Sequence, residues 1–373
     1  MSVYLRLENI SLSESDYDIT MRDSDKMLLD NINLMVEKGE IFGILGPTNC
    51  GKTMLLKTIA GLIKPSSGTV YINREDVTRM KPHERGLTMV FQNFVLYPYM
   101  TGIDNISFLL KQNLMKEYSD KETAKLVEER VYNTIRMLGF DDANVLYRYP
   151  QDASVGQKQR IALARGIVLM PNLLLLDEPL LNVEENLRNE IRHNLKKLLK
   201  KNNITCLYVS HNQKELGEVC DNIAVLNEGV IQQIGTYQEL YSMPTTLFVS
   251  TLIGEAMTNY ISPAKMNELT NGAVKYHMTI RYSDCILTDN KESIENGICI
   301  GGEIEFVESL IQDNTKIVFF RYDNELFGIE TSIMDKAEIG DRVFVVIPFD
   351  KAMFYDTEPE KGKNIFRRIY NLW

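Results

Sequence analysis

One run of eight residues constrains this chain more than any other feature. Gly46-Pro47-Thr48-Asn49-Cys50-Gly51-Lys52-Thr53 fits the pattern G-x-x-x-x-G-K-[ST]. The apolar stretch Ile41–Leu45 before it predicts a strand. The pattern after it predicts a helix over Lys52–Ala60, stopped by Gly61. Backbone N–H groups must wrap a β-phosphate here, and bulky side chains would block that approach. The helix N-terminus turns its positive end toward the phosphates. Lys52 supplies a point charge to the β/γ oxygens, and Thr53 a hydroxyl to Mg²⁺. A chance Gly-rich turn would need neither the strand nor the helix.

A second acidic feature completes the chemistry. The apolar run 173–176 leads into Asp177-Glu178-Pro179. A buried strand ending in two acids brings one carboxylate to the metal and leaves the other to orient a water. Asp177 is assigned to the metal, through water, and Glu178 to the attacking water. The simpler alternative is a solvated acidic pair at a strand end.

Around these motifs strands and helices alternate, which predicts a parallel α/β sheet. Short alternating strands flank a polar insertion within residues 1–40. Helical periodicity dominates from about 95 to 160. A helix over 155–169, a charged helix over 184–201 and strands at 204–209 and 223–226 follow. Beyond residue 245 the pattern changes to short alternating segments with Asn-Asp and Gly turns. We therefore expect a parallel α/β domain followed by a small all-β domain; the family resemblance given below implies more closely an α/β P-loop NTPase cassette with a mixed-sheet core and a helical subdomain, followed by a small all-β, barrel-like domain. The expected boundaries are 1–245, a linker at 246–262, and 263–373.

Composition narrows the partners. Of 373 residues, 41 are Lys or Arg and 51 Asp or Glu, a net charge of −10. That argues against holding nucleic acid through bulk positive charge. From residue 250 onward there are 13 basic and 20 acidic residues, so 13 − 20 = −7 of that charge lies in the last third. No run approaches the roughly 18 apolar residues of a membrane span, and no secretory signal is expected at the N-terminus. Five scattered cysteines without a CxxC pair fit a reducing compartment.

With these motifs in place, the chain resembles the ATP-binding subunits of ATP-binding-cassette (ABC) importers, specifically the maltose-type carbohydrate importer ATPases that carry a C-terminal β (TOBE-like) domain. Val90-Phe91-Gln92, Leu96-Tyr97-Pro98 and Met100-Thr101 resemble the family's glutamine loop. The resemblance implies that Gln92 ligates Mg²⁺ and senses the γ-phosphate. It also implies that the helical segment after it seats a membrane permease. Ser210-His211-Asn212-Gln213 resembles the switch-histidine motif, so His211 would hydrogen-bond the γ-phosphate. Tyr17 is the candidate for adenine stacking, or else an exposed loop tyrosine. Thr279 to Asp284 falls where relatives have an IRPED-like strand. The expected cofactors are ATP and Mg²⁺. The expected partners are transmembrane permease subunits, a second ATPase subunit and, indirectly, an extracytoplasmic solute-binding protein, with the chain at the cytoplasmic face of the membrane. Nucleic acid is not expected.

The departures from the family are uneven. The signature L-S-G-G-Q is Ala153-Ser154-Val155-Gly156-Gln157 here. Ser154 and Gln157 still form an S-x-x-Q capping box, and this helix start would face the nucleotide of a second subunit. Val155 puts a β-branched residue where glycine is usual. Leu181-Asn182-Val183-Glu184 replaces S-N-L-D. In the phosphate loop Asn49 stands for glycine, and Met54 follows for Ser or Thr. Residues offered to the chain's own nucleotide are retained, and those offered across a dimer are altered. Two arrangements stand: a heterodimer with a different ATPase, or a homodimer that tolerates Val155. The implied function is solute import, with sugar or polyol as the first reading. Polyamine or metal-chelate import is the alternative, and a regulatory ATP-binding subunit with little turnover is a further one. A translation-factor type would carry two cassettes and a DNA-repair type a long coiled coil; the chain has neither pattern.

Overall fold

The computed structural model describes residues 2–17, 26–140, 143–254, 257–272, 274–288, 296–310 and 314–356. The polar insertion within 1–40 lies mostly outside them. The chain divides into two compact units, Met1–Tyr237 and Gln238–Trp373.

The first unit opens with β1 (Val3–Ser13), the short α1 (Glu14–Tyr17) and β2 (Met27–Glu37). Then come β3 (Ile41–Leu45), α2 (Lys52–Ala60), β4 (Ser67–Ile72), β5 (Glu75–Asp76) and β6 (Leu87–Val90). Three helices follow: α3 (Gly102–Leu114), α4 (Asp120–Met137) and α5 (Val155–Ile167). The unit continues through β7 (Leu173–Asp177), α6 (Glu185–Lys201), β8 (Thr205–Ser210), α7 (Gln213–Val219), β9 (Asn222–Asn227) and β10 (Val230–Gly235). Alternating apolar residues of β1 and β2 face a common core, and the antiparallel sheet runs β2-β1-β4-β5. The second sheet runs β10-β9-β3-β8-β7-β6, parallel except for β10. Every residue of β3, β7 and β8 is buried. Strands covered on both faces need uninterrupted apolar runs, and 173–176 supplies four leucines.

Helix ends follow their sequence signals. Gly61 ends α2 in the left-handed region at φ 76°. Ser119 and Glu122 form a capping box that starts α4, and the Thr101 hydroxyl caps α3. Arg85 fastens α2 to its surroundings. Its buried guanidinium donates to the carbonyls of Thr58 and Ile59 (3.0 and 2.8 Å), Met80 (3.2 Å) and Thr78 (3.0 Å).

The second unit holds α8 (Tyr237–Ser242, whose first residue closes the first unit), α9 (Leu247–Leu252), β11 (Thr258–Ile261), α10 (Pro263–Leu269), β12 (His277–Arg281) and β13 (Ile286–Thr288). It ends with β14 (Gly297–Leu310), β15 (Thr315–Tyr322), β16 (Glu325–Ser332), β17 (Arg342–Pro348) and β18 (Met353–Tyr355). They build two antiparallel sheets, β11-β12-β18 and β13-β17-β14-β15-β16, around one apolar core. This corrects the expected linker at 246–262. Thr246 caps α9, and β11 pairs in register with β12, Ile261 opposite Met278. Arg281 is buried, donates to the carbonyls of Ser250 (3.1 Å), Ile253 (2.5 Å) and Tyr241 (3.1 Å), and stacks on Tyr241 at 4.3 Å. The segment looked like a connector because its elements are short and their partners lie far along the chain. Three short helices, α8, α9 and α10, accompany these sheets.

Candidate nucleotide site

The parallel register brings the chemistry to one edge. Leu45 pairs with Ser210, Asp177 with Val209, and Val90 with Leu176. The carboxyl ends of β3, β6, β7 and β8 are therefore level. The phosphate loop, Gln92, Asp177-Glu178 and His211 each follow one of these ends, where open α/β sheets bind ligands.

The loop itself is tightly held. The Lys52 ammonium donates to the carbonyls of Gly46 and Pro47, both at 2.8 Å. Gly229 N donates to the Cys50 carbonyl at 3.0 Å, which ties the loop to the turn between β9 and β10. A Cβ on Gly46 would lie 2.3 Å from the Leu226 carbonyl oxygen, so only glycine fits. Gly51 has φ 109° and Asn49 φ 65°. Asn49 thus occupies the left-handed region, where asparagine is among the best tolerated side chains; its departure from glycine carries little conformational cost. Met54 packs against the apolar core of the first unit. Thr48 and Pro47 complete the exposed rim of the loop.

The Thr53 hydroxyl donates to Asp177 Oδ1 at 3.2 Å. Burial holds the Asp177 carboxyl above its ordinary range. The Glu178 charge adds to this, while the Thr53 hydrogen bond and Lys52 oppose it. A hydroxyl and one carboxylate are hard oxygen donors suited to Mg²⁺, which takes few protein ligands and shares the rest with phosphates and water. Among the described residues no group of three or more His, Cys, Asp or Glu could hold a metal by itself. That donor set fits an ion completed by a nucleotide.

Glu178 is buried, and its Oε2 lies 3.0 Å from His211 Nδ1. Its backbone has φ 48°, unusual for a side chain of this size. Its N–H donates to the Val209 carbonyl at 3.0 Å, and its carbonyl accepts from Gln159 Nε2 at 2.8 Å. Behind it the Tyr208 hydroxyl donates to the buried Glu215 carboxylate. Burial, with help from the nearby Glu178 charge, raises the Glu215 carboxyl. Gln92 is exposed just beyond β6, and Tyr17 is exposed at the end of α1.

The altered signature forms its cap as expected. Ser154 Oγ accepts from Gln157 N at 3.2 Å, and Gln157 Oε1 accepts from Ser154 N at 2.9 Å. Val155 is 52% exposed in the first turn of α5. Gly156 has no such freedom, because a Cβ there would lie 2.7 Å from the Asn182 carbonyl oxygen. Gln159 was missed at the sequence level. No motif or periodicity marks a glutamine whose partners lie 19 and 23 residues away.

A parallel sheet with a phosphate loop after one strand and paired acids after another defines a nucleotide-hydrolysing cassette. Comparison with known proteins fixes the family. The ABC transporter family model matches residues 29–181. The Fe(3+) ions import ATP-binding protein FbpC of Photobacterium profundum is 32% identical over 345 residues, 88% of this chain and 94% of that protein. The protein of that name from Escherichia coli O157:H7 is 40% identical over 251 residues, 67% of this chain and 69% of its own length. The spermidine/putrescine import ATP-binding protein PotA of Borrelia garinii subsp. bavariensis is 41% identical over 229 residues, 61% of this chain and 63% of that protein. Among solved structures, the dimeric post-hydrolysis state of the ATP-binding cassette MJ0796 bound to ADP and Pi superposes with a TM-score of 0.55 and 26% identity. It covers 62% of this chain and 98% of that one. The chain belongs to the ABC transporter family. It is the ATP-binding subunit of an ABC importer and a transporter ATPase. These relatives are named for iron and polyamine import, so the sugar reading is less well supported than its alternative.

Proposed function

We propose that ATP binds across the loop 46–53 and is hydrolysed there to energise import of a cationic solute, a metal ion or a polyamine, through separate permease subunits. The level carboxyl ends of β3, β6, β7 and β8 carry this reading, because they gather the loop, Gln92, Asp177, Glu178 and His211 at one edge. Lys52 and the loop amides hold the β- and γ-phosphates. Thr53 and Asp177 would hold Mg²⁺, with Gln92 as a further oxygen donor, and the ion would offset phosphate charge. Glu178 orients the attacking water, and His211 holds both the Glu178 carboxylate and the γ-phosphate. Gln92 reports γ-phosphate occupancy to the helical segment that seats the permease. The relatives named for Fe(3+) and spermidine/putrescine support the solute class. In proteoliposomes with the permease and its solute-binding protein, spermidine or ferric ion should stimulate ATP turnover and maltose should not. Stimulation by maltose alone would overturn the solute assignment. Glu178→Gln should lower kcat about 10²–10³-fold while nucleotide binding persists.

A second reading concerns the partner ATPase. The altered residues Val155 and Leu181 are exposed, at 52% and 38%, so their replacement serves no packing need inside this chain. That favours a heterodimer, in which another chain's signature completes the site built on Lys52 and Glu178. Brisk Glu178-dependent hydrolysis by the purified chain alone would overturn it.

A further inference from the structure

We propose that Gln159 is a positioning residue that locks the Glu178 backbone, the loop around Asn182 and the signature helix α5 into one unit. This rests on the role given to Glu178 above. Gln159 sits in the second turn of α5 and is 3% exposed. Its Nε2 donates to the Glu178 carbonyl at 2.8 Å, and its Oε1 accepts from Asn182 N at 2.8 Å. Both polar ends of one buried amide are thus committed to backbone on either side of Pro179-Leu180-Leu181. Gly156, three residues earlier on α5, lets the helix touch the same loop at the Asn182 carbonyl.

The bond to Glu178 matters because of that residue's φ of 48°. A left-handed glutamate persists only when its neighbours over-determine it. Three hydrogen bonds do so here: Glu178 N to Val209 O, Gln159 Nε2 to Glu178 O at 2.8 Å, and the longer turn bond Leu181 N to Glu178 O at 3.4 Å. The first belongs to the sheet and cannot respond to events outside it. The second comes from the helix whose N-terminus carries Ser154 and Gly156. Movement of α5 against a partner's nucleotide would therefore be passed to the Glu178 carboxylate of the same chain. Gln159 links the two nucleotide sites through hydrogen bonds to backbone, not through side-chain packing.

The test is Gln159→Met, which keeps the volume and removes both hydrogen bonds. ATP turnover by the transporter assembled with its permease and partner ATPase should fall at least tenfold, with KM for ATP within twofold. Added to Glu178→Gln, the same change should alter residual turnover less than twofold, because both act through one group. Unchanged turnover in Gln159→Met, or losses that multiply in the double variant, overturns the inference. Wild-type turnover in Glu178→Gln alone overturns the role of Glu178 and this inference with it. If Gln159→Met does not fold, Gln159→Glu keeps the acceptor for Asn182 N and loses the donor to Glu178, and the same outcomes are read. A second readout is amide exchange at Asn182. It should quicken at least tenfold in Gln159→Met, which removes the acceptor, while β7 stays protected, and unchanged exchange in Gln159→Met counts against the proposal.

Discussion

The residues of the site carry conflicting demands, and these can be measured. Asp177 sits at the end of a fully buried strand with its carboxyl raised by burial. A raised carboxyl binds its proton more tightly folded than unfolded. Its contribution to stability is therefore full below the ordinary value of 3.8 and is lost as pH rises through the elevated one. Asp177→Asn should flatten that part of the melting temperature against pH profile in the nucleotide-free chain. The same variant should lose Mg²⁺-dependent hydrolysis. An unchanged profile would show that Asp177 is solvated. At Asn49, Asn49→Gly should leave nucleotide affinity within about twofold, whereas Asn49→Val should destabilise the loop by about 1–2 kcal/mol in thermal denaturation.

At the scale of elements, what could be read in the sequence was local. The strand, turn and helix around 46–53 follow from apolar runs and glycines whose partners are adjacent in sequence. The cap joins Ser154 and Gln157, three positions apart, and was equally visible. The short β11 was not, since only its pairing with β12 makes it a strand. The left-handed Glu178 was invisible too, because nothing in Asp-Glu-Pro separates an extended strand end from a turned one. Arg85 gives an element-scale prediction. It is the shared donor for carbonyls of α2 and of the segment before β6. Arg85→Ala should cost about 2–4 kcal/mol in chemical denaturation, and Arg85→Lys should recover only part of that, since an ammonium lacks the planar fork. Gly156→Ala should push α5 from the Asn182 loop and lower turnover more than ATP affinity.

At the scale of the molecule, two units with separate apolar cores share one chain. Calorimetry should resolve two transitions, and Mg-ATP should raise only the one belonging to the first unit. At a hundred times its dissociation constant the ligand adds about 2.7 kcal/mol to that unit. Equal shifts of both transitions would indicate strong coupling. Among the described residues no helix is long and apolar enough to cross a membrane.

The backbone of Glu178 has a consequence for how this sequence can drift. Its φ of 48° is one that glycine adopts freely, yet the position carries a long acid. A library randomised at 178 and screened only for heat resistance should enrich glycine and asparagine. The same library screened for growth on the imported solute should return glutamate. The two winners would differ at a position where folding and function draw on the same torsion angle in opposite directions.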